Sequence, residues 1–151
     1  MDVVTLKESF RPSTVAKGVS HWLNVSRWHN VEDCAHALKA AGYKIYGALP
    51  RPDCCRLGEL PVDHKAAVVF GNEHKGLHPD WEPHLDQSFT IPMAGMVESL
   101  NISVAAAVTL HDMTRRMKTQ PGYLLEGPEL DDLMDRWACE SVNGWEKILS
   151  Q

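Results

Sequence analysis

Apolar positions in this chain fall into short strand-length runs separated by stretches of helical spacing. Ala66–Phe70 is wholly apolar, as expected for a central parallel strand covered on both faces. Val3–Leu6, His21–Val25, Lys44–Leu49 and Phe89–Ile91 read as further strands, with Trp22, Leu23 or Val25 on a buried face of the second. Between them, Val31, Cys34, Ala35, Leu38 and Ala41 recur at helical spacing. Asn30 stands as the N-cap of that helix and Gly42 at its C′ position. Pro79 opens a short helix over Asp80–Leu85. Asn101–Met117 is the longest predicted helix, apolar on most sides at Val104–Val108 and so expected to be buried. After a break at Gly122–Gly127, Pro128 begins a helix bearing Leu130, Leu133, Met134, Trp137 and Ala138. Trp145, Ile148 and Leu149 are expected to form a last turn packed on the domain. Lys7–Gly18 and Arg51–Lys65 read as loops.

Strand and helix alternate, so the class is α/β, with a mostly parallel sheet flanked by helices. An open sheet of that kind puts its ligand where strands run out. Two strand ends here lead into glycine-bearing loops, Gly71–Leu77 and Pro92–Glu98. Gly71, Gly76 and Gly95 would permit close backbone approach to a ligand. Neither G-x-G-x-x-G nor G-x-x-x-x-G-K-[ST] is present, so a dinucleotide loop and a P-loop are unsupported. Ser99 is not in a G-x-S-x-G context, which leaves a serine hydrolase without support.

Composition narrows the picture further. The length of 151 residues suits one domain, with residues 122–151 as a helical tail packed on it. No apolar run approaches the roughly 20 residues of a membrane span, and no signal peptide is evident. Cys34, Cys54, Cys55 and Cys139 lack paired spacing, so free thiols are expected and no metal site. The net charge of −5 argues against a strongly nucleic-acid-binding surface overall. Arg115 and Arg116 carry two readings, a complement to a helix C-terminus or an RNA contact. Ser99 and Asn101 likewise read as cap and first-turn residues of the long helix, and Glu73 as a solvated turn charge. Met93 and Met96 read as gap-filling apolar residues.

Two stretches carry a family resemblance. Phe70-Gly71-Asn72-Glu73-His74-Lys75-Gly76-Leu77 resembles the second motif of the SpoU–TrmH branch of the SPOUT methyltransferases. The segment from Ile91 to Ala107, IPMAGMVESLNISVAAA, resembles its longer and more specific third motif. Lys17–Trp28, Gly42–Leu49 and Gly122–Trp137 are similar to the tRNA ribose methyltransferase members, so the resemblance covers most of the chain.

The resemblance implies a C-terminal trefoil knot, S-adenosylmethionine as cofactor, a homodimer, and methyl transfer to a ribose 2′-OH of RNA. In the closest branch the substrate is a tRNA guanosine. Ala48, Leu49, Gly71, Asn72, Ile91, Met93 and Leu100 would bind the cofactor, and Glu73, Ser99 and Asn101 would serve catalysis. Ala48 stands where close relatives often have threonine. The family's first motif, with its arginine activator, has no counterpart here, so the domain is expected to be shortened at its N-terminus. A knotted module that binds cofactor or RNA without turnover is therefore the alternative. No membrane or metal partner is expected. The implied compartment is the cytoplasm, or an organelle if a presequence has been lost.

Overall fold

The computed structural model describes residues 2–5, 23–72, 75–96 and 99–141. In chain order the elements are β1 (Asp2–Thr5), β2 (Asn24–Arg27), α1 (Val31–Ala40), β3 (Lys44–Ala48), β4 (Cys55–Arg56), β5 (Ala66–Phe70), β6 (Gln87–Thr90), α2 (Ile102–Met117) and α3 (Pro128–Ser141). Short 3-10 helices occupy Leu57–Glu59 and Pro79–His84. The chain forms two compact units, residues 30–123 and residues 1–29 with 124–151. In the second unit β1 and β2 pair in parallel, Asp2 opposite Asn24 and Thr5 opposite Arg27. His21 and Trp22, expected in that strand, lie outside the described residues, as do Lys7–Gly18, Trp145, Ile148 and Leu149.

The larger unit holds a four-stranded sheet in the order β4-β6-β3-β5, with every pairing parallel. Parallel neighbours need crossover connections, which is why helical segments punctuate the strands. Local chemistry sets their ends. The Asn30 carboxamide oxygen accepts from the Asp33 backbone N–H at 2.8 Å, capping α1 as its sequence predicts. Gly42 ends that helix at φ +81°. Val31, Cys34 and Ala35 are its buried face. Pro79 opens the second 3-10 helix and Trp81 buries its side chain beneath it.

Ile45 and Tyr46 on β3 and Phe89 on β6 are essentially excluded from solvent. Tyr46 and Phe89 pack with Leu57, Leu60 and Met113 as the core between sheet and α2. Burial of a side chain such as Phe89 contributes about 1.5–3 kcal/mol. The polar tip of Tyr46 is satisfied by His64 Nε2 at 2.6 Å, and His64 Nδ1 meets Asp63 Oδ1 at 2.8 Å. Burial first, then Asp86 and Asp63, push the Tyr46 phenol above its usual range. Gly47 is small because Leu85 and Leu77 cross it: an added Cβ would lie 2.6 Å from Leu85 Cδ1.

Three expectations are corrected. β5 is an edge of the four-stranded sheet, not its centre, and all five of its residues are half-buried. An apolar run reports how well the faces are covered, not the place of a strand in the ladder. The Arg51–Lys65 segment is more than a loop, since Cys55 and Arg56 pair with Phe89 and Thr90 as β4. A two-residue strand has no periodicity to detect. The Val104–Val108 stretch of α2 is not buried: Val104 is 47% and Val108 38% exposed, whereas Thr109 and Met113 face inward. Helical spacing allows one face to reach the core, and the small alanines let the other stay apolar in solvent.

Candidate functional site

Because the four strands are parallel, their carboxyl ends face one way, and a cavity of about 770 Å³ opens there. That size is typical of small-molecule sites. Ala48 and Leu49 enter it from the end of β3, and Phe70, Gly71 and Asn72 from the end of β5. Thr90, Ile91, Pro92 and Met93 enter from the end of β6. Ser99, Leu100 and the first turns of α2, at Ile102 and Ala105, close the remaining wall.

The loop after β5 is closed by its own backbone. Asn72 and Gly76 exchange two hydrogen bonds, N–H to carbonyl oxygen, each 2.8 Å. Gly76 makes the turn at φ +68°, a conformation that favours glycine. Gly71 is required for a different reason. A Cβ there would overlap the Gly76 carbonyl carbon and the Leu77 nitrogen, so the loop folds back directly over it. The result is a wall of main chain rather than side chains next to Ala48 and Leu49.

Ser99 is exposed on the cavity wall. Asn101 is not among the lining residues. Its carboxamide oxygen accepts from the Ser103 backbone N–H at 2.9 Å and the Ser103 hydroxyl at 2.5 Å, which caps α2. Glu73 lies outside the described residues. The structure thus brings together Ala48, Leu49, Gly71, Asn72, Ile91, Met93, Leu100 and Ser99 in one cavity, and sets Asn101 just beyond it.

Other lining residues gave no sequence signal. Arg51, Cys54 and Arg56 line the β4 side, where no motif and no periodicity marked them. Arg51 Nε stands 3.6 Å from Asp53 Oδ1. Arg115 and Arg116 are elsewhere and largely engaged: both reach Asp112, at 3.3 and 2.9 Å, and Arg116 also donates to the Leu57 and Leu60 carbonyls. The four cysteines are free. Among the described residues no group of three His, Cys, Asp or Glu side chains is placed to hold a metal ion, and no helix is long and apolar enough to cross a membrane.

Residues 4–111 match the SpoU rRNA Methylase family. The tRNA (guanosine(18)-2'-O)-methyltransferase of Borreliella burgdorferi is 31% identical over 143 residues, covering 94% of this chain and 65% of that protein. The crystal structure of the A. aeolicus TrmH/SpoU tRNA modifying enzyme shares the fold, with a TM-score of 0.77 over 94% of this chain and 76% of that one, at 24% identity. The SpoU methyltransferase AviRb from Streptomyces viridochromogenes, in complex with the cofactor AdoMet, matches with a TM-score of 0.56 at 29% identity, over 65% of this chain and 38% of that one. The chain spans about half to two thirds of the length of the curated relatives it matches, 65%, 62% and 52% in three cases.

Proposed function

The chain belongs to the SpoU rRNA methylase family, and from that premise we propose that it is an S-adenosylmethionine-dependent RNA ribose 2'-O-methyltransferase whose substrate is tRNA. The observation that carries the reading is the convergence of residues from both motifs, Gly71, Asn72 and Gly76 with Ile91, Met93, Ser99 and Leu100, on one cavity at the strand ends. The guanosine methyltransferase relatives and the AdoMet complex of AviRb support the substrate and the cofactor.

The residues present fit that cofactor. Leu49, Ile91 and Leu100 offer apolar walls for a purine, and the closed loop at Gly71 and Asn72 allows close approach to main chain. Ala48 adds a small surface without a hydroxyl, and Met93 a polarizable one near the mouth. Bound there, the cofactor supplies an electrophilic methyl group on a sulfonium centre. Ser99 is the side chain on the wall suited to hold a ribose hydroxyl in line, and most of the protein's contribution is such positioning. Asn101 acts through its cap on α2. Glu73 completes the catalytic set by motif.

The reading extends to a C-terminal trefoil knot, to one methyltransferase domain and to cytoplasmic work on tRNA; family membership supports these. It also includes a homodimer. Val104, Val108 and Leu110 on α2 and, in the other unit, Met134 on α3 are exposed apolar side chains that suit a subunit interface. Sedimentation showing only a 16.9 kDa species would exclude the dimer.

The deciding experiment incubates the purified protein with an unmodified tRNA transcript and methyl-labelled S-adenosylmethionine. Label is expected in an alkali-resistant dinucleotide, the mark of a methylated ribose. No label at stoichiometric enzyme would overturn the activity, and no calorimetric binding of S-adenosylhomocysteine would overturn the site.

A further inference from the structure

The cavity lining contains two arginines, Arg51 and Arg56, and no aspartate or glutamate among the described residues. In a chain of net charge −5 this is a local reversal of sign. The two cations are not equivalent. Arg51 is paired with Asp53 at 3.6 Å. Arg56 is exposed and its guanidinium has no ion-pair partner among the described residues. The Glu59 carboxylate, three residues on, accepts instead from the Arg56 backbone N–H at 3.2 Å.

Position distinguishes Arg56 further. It ends β4, the outermost strand, opposite Thr90. Gly71 and Asn72 follow β5 at the opposite edge. Three strand spacings of about 4.8 Å put roughly 14 Å between the two edges. The residues proposed above to hold the cofactor follow β3, β5 and β6, and none of them follows β4. Arg56 therefore stands at the end of the cavity farthest from the glycine loop, in solvent.

We propose that Arg56 grips a phosphate of the RNA strand and so positions the target ribose at the open end of the cavity. The inference rests on the proposed function and names a residue that the motifs do not. A planar guanidinium with unused donors matches a phosphate bidentately. An acidic protein repels RNA at long range, so affinity must come from local contacts of this kind. An enclosed small ligand would call for an enclosed cation, whereas an exposed one at the rim suits a polymer that remains largely outside.

The test uses the full chain with an unmodified tRNA transcript, measured across a salt series, and S-adenosylhomocysteine by calorimetry. Arg56→Ala is expected to weaken RNA binding about 3- to 10-fold and to lower the salt slope by about 0.7–0.9, the share of one phosphate. Arg56→Lys should recover most of the slope. S-adenosylhomocysteine affinity should stay within about twofold, and the melting temperature should not move. Unchanged RNA affinity and slope in Arg56→Ala, with wild type binding both ligands, would overturn the inference and leave the proposed function standing. Weakened S-adenosylhomocysteine binding with an unchanged slope would overturn it too, assigning Arg56 to the cofactor carboxylate. A wild-type chain that binds neither ligand would overturn the function and this inference together.

Discussion

Arg116 on α2 donates from Nη1 to the carbonyl oxygen of Leu60, 56 residues earlier in the chain, at 2.5 Å. Its Nη2 donates to the Leu57 carbonyl at 3.0 Å and its Nε to Asp112 at 2.9 Å. One side chain thus binds α2 to the segment that follows β4. The fork shape is what reaches two carbonyls and a carboxylate together. Arg116→Ala is expected to cost about 1.5–3 kcal/mol, and Arg116→Lys to recover less than half of it. Urea unfolding checks this; a variant as stable as wild type would show that the fork is incidental.

Gly71→Ala should be the most damaging small substitution at the cavity. The added methyl overlaps the backbone of Gly76 and Leu77, which cannot rotate away as a side chain end would. The loop must shift, at about 1–3 kcal/mol, and S-adenosylhomocysteine affinity is expected to fall more than about tenfold. Calorimetry beside far-UV circular dichroism separates a moved loop from an unfolded chain. Wild-type affinity in Gly71→Ala would contradict the close approach.

Asn101 separates a capping role from a chemical one. Asn101→Ala loses the oxygen that accepts from Ser103 and should destabilise by about 1 kcal/mol. Asn101→Asp keeps that acceptor, so its stability should return. If turnover returns with it, the residue acts by holding the wall; if turnover stays low, the carboxamide itself is needed.

Thr109 is fully buried on α2 and its hydroxyl has no hydrogen-bond partner among the described residues. Such an orphan carries a desolvation cost, so Thr109→Val is expected to be neutral or stabilising by up to about 1 kcal/mol. A loss beyond about 1 kcal/mol in a denaturant titration would reveal a partner for the hydroxyl.

Acid sensitivity follows from Asp86. Its carboxylate accepts from the Ile45 backbone N–H at 2.8 Å and pairs with Lys44 at 3.2 Å, and these contacts, the backbone bond first, hold it below the usual carboxylate range. Asp63 moves the same way through His64. A folded value below the unfolded one, about 3.9, means stabilisation present above that pH and lost as pH falls through the folded value. Stability should decline below about pH 4, with a smaller decline in Asp86→Asn. An unchanged acid limb in that variant would remove Asp86 from the account.

Much of this was legible because it is local. The Asn30 cap, the Gly42 stop and the Pro79 opening are chemistry within three residues, and α1, the second 3-10 helix and α2 stand within a few residues of their predicted spans. The cavity lining was legible only where the family resemblance marks it, at Ala48, Leu49, Gly71, Asn72, Ile91, Met93, Ser99 and Leu100. What escaped is set by partners distant in sequence. Cys55 and Arg56 become a strand only because Phe89 and Thr90 lie alongside, and no window around them holds that information. The edge position of β5 and the solvent face of α2 were hidden for the same reason, since apolar content says what a surface tolerates and not what covers it.

The all-parallel ladder has a kinetic consequence. Lys44 pairs with Ala66, Tyr46 with Gln87 and Cys55 with Phe89, so none of these rungs can be made by a hairpin. Each waits for a long loop to close before any bond rewards it, which places this topology among slow folders. The cavity borrows its walls from residues scattered between Ala48 and Ala105. A fragment that ends before Phe89 lacks the walls contributed by β6 and the start of α2, so the cavity is complete only once that later segment has docked.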